Sequence, residues 1–125
     1  MQKTENPKLV EPSALSYSEE NELPAGLMSG NQMCEIWSGE PLQGNAGAHY
    51  GIWLGQPGFI NISRYPADEL FTVLEGHIRL DSPDGEILDV KSGQTCLVPR
   101  NWRGVWNTME ITRKIFVTML SAEEA

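Results

Sequence analysis

The chain has 125 residues and a formal net charge of −8 from 17 acidic and 9 basic side chains. Apolar residues make up 40% and charged residues 21%, which excludes wholesale disorder and fits one globular domain. Residues 1–22 carry five Glu and two Lys, and no Lys/Arg cluster follows, so a nucleic-acid stripe is disfavoured. No apolar run approaches the ~20 residues of a membrane span. The first 25 residues lack the apolar core of a secretory leader, which points to a cytoplasmic protein. Cys34 and Cys96 match no zinc-knuckle spacing and read as reduced thiols.

Residues 1–25 are polar, contain Pro7, Pro12 and Pro24, and read as an arm that frays or packs on a neighbouring subunit. Eight of the 12 glycines fall between Gly26 and Gly58 and interrupt any long helix there. From there to residue 120, short apolar stretches recur with turn signals between them. They are 32–38, 50–54, 59–63, 70–74, 77–81, 86–90, 95–98, 103–107 and 111–120, a spacing typical of a β-sandwich or barrel. Residues 121–125 form an acidic tail. Ser82-Pro83-Asp84-Gly85 predicts a hairpin turn, with Pro presetting φ and Gly accepting a positive φ. The segment from Pro66 to Gly76 reads equally as a helix with Pro in its first turn or as a strand.

Two motifs then stand in order. Glu69 and Gly76 are separated by six residues, and Gly93-x5-Pro99-x-Asn101-x2-Gly104 follows. This pattern resembles the two signatures of the cupin superfamily, with Asn101 in place of a glycine. Gly51-Ile52-Trp53, Gln56-Pro57-Gly58, Gly104-Val105-Trp106 and Arg113-Lys114 extend the likeness. They resemble the small single-barrel cupins grouped with the ureidoglycine aminohydrolase cupin domain, whose relatives include the ethanolamine-utilisation cupins. The resemblance implies an all-β, single-domain jelly-roll barrel of the RmlC-like type over residues 26–120, with residues 66–76 as strand. A homodimer is expected, with the N-terminal arm and a strand edge against the partner.

The metal positions implied by the resemblance are occupied by Ser63, Tyr65, Glu69 and Gly104. Three histidines are thus missing, and Ser and Tyr replace poorly the imidazoles that a transition metal prefers. No resident cofactor is expected, a divalent transition metal being the lesser alternative. His49 and His77 fall outside both signatures and read as surface or packing residues.

Strand alternation carried back from Ser63 and Tyr65 places Asn61 on their face, and carried forward places Glu69, Phe71 and Val73 inward. Gly104 and Trp106 join them from a later strand. The expected result is a small-molecule pocket with an aromatic floor, in which Glu69 acts as acid/base and Tyr65 orients the ligand. Ser63, Asn61, Phe71, Trp106 and Lys114 complete the expected site. A carboxylate among Phe71 and Trp106 is desolvated and suited to proton transfer, whereas a neighbouring base such as Arg64 or Lys114 would hold it ionised. Tyr65 and Trp106 read equally as barrel filling, Trp53 and Trp102 as packing, and Arg100 and Arg103 as solvated loop residues. The expected function is a small-molecule-binding cupin, acting on a ureide, an amide or a carbohydrate-like acid if it is an enzyme. The alternative is a metabolite-binding or accessory dimeric cupin without catalysis.

Overall fold

Burial alternates residue by residue along the strand at residues 68–75: Glu69, Phe71 and Val73 are buried, while Asp68, Leu70 and Leu74 are exposed. That pattern is what a strand with one face on a core requires, and it rules out the helical reading of residues 66–76. The computed structural model describes residues 6–20, 27–40 and 47–120. The boundary expected at residues 25–26 and the tail at 121–125 lie outside the described residues.

Apart from one 3-10 turn at Pro12–Ala14, the described regular structure is all β. The strands are β1 (Ser16–Glu20), β2 (Met28–Gly30), β3 (Cys34–Ser38), β4 (Ala48–Gly55), β5 (Gly58–Ile62) and β6 (Asp68–Glu75). They continue with β7 (His77–Asp81), β8 (Ile87–Lys91), β9 (Thr95–Val98), β10 (Gly104–Thr108) and β11 (Thr112–Met119). One sheet runs β1-β3-β4-β11-β6-β9 and the other β2-β5-β10-β7-β8. Every described pairing is antiparallel. No helix among the described residues is long and apolar enough to cross a membrane.

The nine expected strands all form, with ends shifted by one or two residues. Two more were not anticipated. The segment read as an arm supplies β1, which pairs with β3 of its own chain and sets Tyr17 against Trp37 at 5.3 Å between ring centres. The three-residue β2 pairs with β5.

The core lies between the two sheets. Trp53, Phe71, Val73, Cys96 and Val98 project from the six-stranded sheet, and Ile62, Ile78, Leu80, Val90 and Trp106 from the five-stranded one. Each such side chain contributes roughly 1.5–3 kcal/mol on full burial, so this layer holds the sheets together.

Two glycines close β-turns on opposite terms. In the β7–β8 hairpin, Gly85 has φ 92°, its N–H donates to Ser82 O at 3.0 Å, and open space surrounds a would-be Cβ. Gly76, between β6 and β7, has φ 110°, and a Cβ there would lie 2.3 Å from Thr112 Oγ1 and 2.7 Å from Ile111 O. Gly85→Ala should therefore cost only the left-handed backbone penalty of about 1–2 kcal/mol. Gly76→Ala should cost more, because the backbone of the β10–β11 turn must also move. Denaturant midpoints of the two variants check the order; equal losses would show that the close approach at Gly76 carries no energy.

Candidate functional site

Tyr65 reaches the interior because the loop between β9 and β10 grips its backbone. Tyr65 N–H donates to Trp102 O at 2.8 Å, and Asn101 N–H donates to Tyr65 O at 2.9 Å. Asn101 has φ 74°, the one positive value among described non-glycine residues, so Asn does here what the signature's second glycine would do. Arg100 N–H donates to Asp68 Oδ1 at 2.8 Å and ties the same loop to the start of β6. With its backbone fixed, the Tyr65 ring packs parallel to Trp106 (6.2 Å between centres, 6° between planes) and edge-on to Trp102.

Four residues further on, β6 turns Glu69 onto the inner face. Tyr65 Oη donates to Glu69 Oε1 at 2.7 Å, and Lys114 Nζ donates to Glu69 Oε2 at 2.5 Å. Glu69 and Lys114 are 5% and 4% exposed, which makes this an ion pair inside the barrel. Lys114 arrives there from β11, the strand between β4 and β6. Its pairing with β6 slips by one residue between Arg113 and Lys114, so that Lys114 stands opposite Val73 and Leu74 is skipped. A bulge of this kind re-aims a side chain, and here it coincides with the one buried lysine among the described residues. The ammonium lies within 4.3 Å of the Trp106 ring centre, 4.6 Å of Phe71, 5.0 Å of Trp53 and 5.9 Å of Phe116. At such distances each ring face attracts the cation.

A cavity of about 340 Å3 opens beside this pair, its wall mostly apolar, with Trp53, Tyr65, Glu69, Trp106, Lys114 and Phe116 in its lining. The indole N–H of Trp106 is enclosed by the core and has no partner among the described residues. Burial and the adjacent Glu69 carboxylate push the Tyr65 phenol well above its ordinary value, so it stays a hydrogen-bond donor. Burial also raises the Cys96 thiol against the opposing pull of Lys114, keeping it protonated.

Of the expected site residues, the structure brings together Tyr65, Glu69, Phe71, Trp106 and Lys114. It does not bring in Asn61 or Ser63, which are exposed and line a shallow outer groove with Asp81 and Arg103. The expectation fails because β5 ends at Ile62 and the chain bends at Ser63 and Arg64, so face parity does not carry across to Tyr65. Within β5 it is Ile60 and Ile62 that face the core. Trp53, read as packing, also lines the cavity. His49 is exposed, and His77 bonds to Asp89 at 2.6 Å on the outer side, where it and Arg79 hold the Asp89 carboxyl below its usual range.

Sequence reasoning missed a buried polar staple. Gln32 donates to Met33 O and Gln56 O and accepts from Thr108 Oγ1 at 2.6 Å, joining the β2–β3 loop to β10. A lone Gln in a polar loop gives no local signal of such a role. Cys34, from β3, lines the cavity as well.

The residues present do not suit a cupin metal. Among the described residues Glu69 is the one carboxylate lining the cavity, and the Lys114 ammonium already takes one of its oxygens and would repel a cation. Ser63 faces outward. A Cβ at Gly104 would lie 2.3 Å from the carbonyl oxygen of Asp81, so no histidine fits there without a backbone shift. Among the described residues no three His, Cys, Asp or Glu side chains cluster for a metal.

Two antiparallel sheets closed around a ligand-sized cavity, with Glu69, Gly76, Gly93 and Pro99 at the signature positions, define a cupin. The chain belongs to the EutQ-like cupin domain family, which residues 42–116 match. No curated protein matches the chain. It is similar in fold to a putative ethanolamine utilization protein Q of Salmonella typhimurium LT2 (20% identity over 70% of this chain and 69% of that one, TM-score 0.60). It is also similar to the Clostridium difficile EutQ protein (16%, covering 92% and 82%, TM-score 0.63). A DUF861-family protein of unknown function from Pseudomonas syringae pv. tomato gives a TM-score of 0.69 at 21% identity, and the chain spans 46% of that protein. At these identities the likeness is one of fold.

Two measurements follow from the buried pair. Lys114→Met strands the Glu69 carboxylate in the interior and should cost about 3–5 kcal/mol, whereas Glu69→Gln with Lys114→Met should regain most of it. Chemical denaturation of the three proteins tests this; a double variant as unstable as the single one would mean that the pair itself holds the fold. The raised Tyr65 value predicts a sign for alkaline stability. Between the ordinary tyrosine value of 10.0 and the higher folded value, the native state binds more protons than the unfolded one. Stability present below pH 10 is then lost as pH rises through that window. Tyr65→Phe should flatten this part of the pH profile relative to wild type, as measured by denaturant midpoints from pH 9 upward.

Proposed function

We propose that the chain is a small-molecule-binding cupin whose ligand occupies the cavity beside Tyr65, Glu69 and Lys114. The observation that carries this reading is the buried, hydrogen-bonded triad facing about 340 Å3 of mostly apolar space, the usual composition of a small-ligand site. The aromatic faces that would attract a cationic ligand are already occupied by the protein's own ammonium. That favours a neutral or anionic ligand, in keeping with an amide, a ureide or a carbohydrate-like acid. Lys114 supplies a donor for its oxygens. Where turnover occurs, Glu69 is the group that moves a proton and Tyr65 the one that orients the substrate.

The test is a panel of small ureides, amides and sugar acids, followed by the fluorescence of Trp53 and Trp106 and by product analysis. Binding should be seen with at least one class. It should be lost both in Glu69→Gln/Lys114→Met, which removes the charges together, and in Ile60→Trp, which fills the cavity and leaves the charges alone. A ligand that binds equally well to wild type and to both variants would place the site elsewhere on the protein.

A further inference from the structure

We infer that Lys114 is a nucleophile that captures small aldehydes or ketones as an imine on Nζ. The inference rests on the cavity reading above and names the ligand chemistry of that same site. Lysine amines do covalent work when they are desolvated and have a proton acceptor at hand. Both conditions are met here. Lys114 is buried among Trp53, Phe71, Trp106 and Phe116, and Glu69 Oε2 stands 2.5 Å from its Nζ. A structural ion pair would be equally satisfied packed against solid core, yet this one lines an open cavity.

The step balances with the groups present. The Lys114 ammonium passes a proton to Glu69, giving a neutral amine and a neutral acid, an exchange that a low-dielectric site tolerates better than water does. The amine nitrogen forms a bond to the carbonyl carbon, and the carbonyl π bond breaks onto oxygen. Glu69 protonates that oxygen and takes a proton from nitrogen, giving a carbinolamine. It then returns the proton to the hydroxyl, which leaves as water while the nitrogen lone pair forms the C=N bond. The protonated imine keeps its positive charge beside the restored Glu69 carboxylate and among the same ring faces that held the ammonium. Apolar walls favour loss of the water. Cys96, the buried thiol near the pair, is no rival nucleophile because burial keeps it protonated.

The test uses the full-length protein with propanal and, separately, pyruvate, each with cyanoborohydride to fix any imine. Intact-mass and peptide mass spectrometry then locate the adduct. Lys114 should be modified ahead of the exposed Lys8 and Lys91, and Lys114→Arg should lose that adduct entirely while Lys91 still reacts slowly. As a control independent of how an arginine packs in that cage, the same wild-type protein is also treated in denaturant, where Lys114 should lose its lead over Lys91. An unmodified Lys114, or one no faster than Lys91 in the folded protein, overturns the inference. Tryptophan fluorescence with the same two probes separates the failures: binding without an adduct sinks the imine and leaves the cavity reading standing, and neither binding nor adduct sinks both.

Discussion

Moving the Glu69 carboxylate and the Lys114 ammonium out of water costs several kcal/mol for each ion, and their mutual attraction offsets this only with good geometry and further partners. The interior of this barrel is arranged around that requirement. Glu69 has both oxygens engaged, one by Lys114 and one by Tyr65. Lys114 has ring faces around the part of its ammonium that Glu69 leaves unsatisfied. The positions of Trp53, Phe71 and Trp106 thus answer to charge as well as to volume, and Tyr65 must be held by its backbone so that its hydroxyl stays on the carboxylate. Hydrophobic residues alone would close this barrel at less expense. That a charged pair is kept beside a cavity argues for a site where proton position matters.

The two signature loops build this arrangement. In the first, Tyr65 and Glu69 occupy ligand positions but turn toward each other. In the second, Asn101 and Trp102 fix the Tyr65 backbone through two hydrogen bonds. The framework glycines and proline keep their geometric duties. At the centre of this scaffold stands an internal cation, the Lys114 ammonium.

Most of the fold was legible because strands and turns are local signals. Alternation over residues 68–75 and the Ser82–Gly85 turn can be read within a few residues of themselves. β1 and β2 were not, since their stability comes from distant partners: Tyr17 on Trp37, and Met28 beside Ile62. The site was legible in composition but not in assembly. Tyr65, Glu69, Phe71, Trp106 and Lys114 were all named, whereas the bond between Glu69 and Lys114 spans 45 positions and depends on β11 lying next to β6 with a slipped register. Asn61 and Ser63 were misplaced for a related reason: alternation is valid only while the strand lasts, and β5 ends between them. Gln32 and Thr108, 76 positions apart, show the same limit from the other side.

Gly104 bears on how such a protein can change over time. Its missing side chain lets β10 pass close to the Asp81 carbonyl and the Trp102 ring, which fill the space a histidine would need. A substitution at Tyr65 could place a donor in the interior, but one at Ser63 points outward and one at Gly104 meets backbone. Building a cupin metal site into this chain would therefore need a repacked β10 and a re-aimed Ser63, not side-chain exchanges alone.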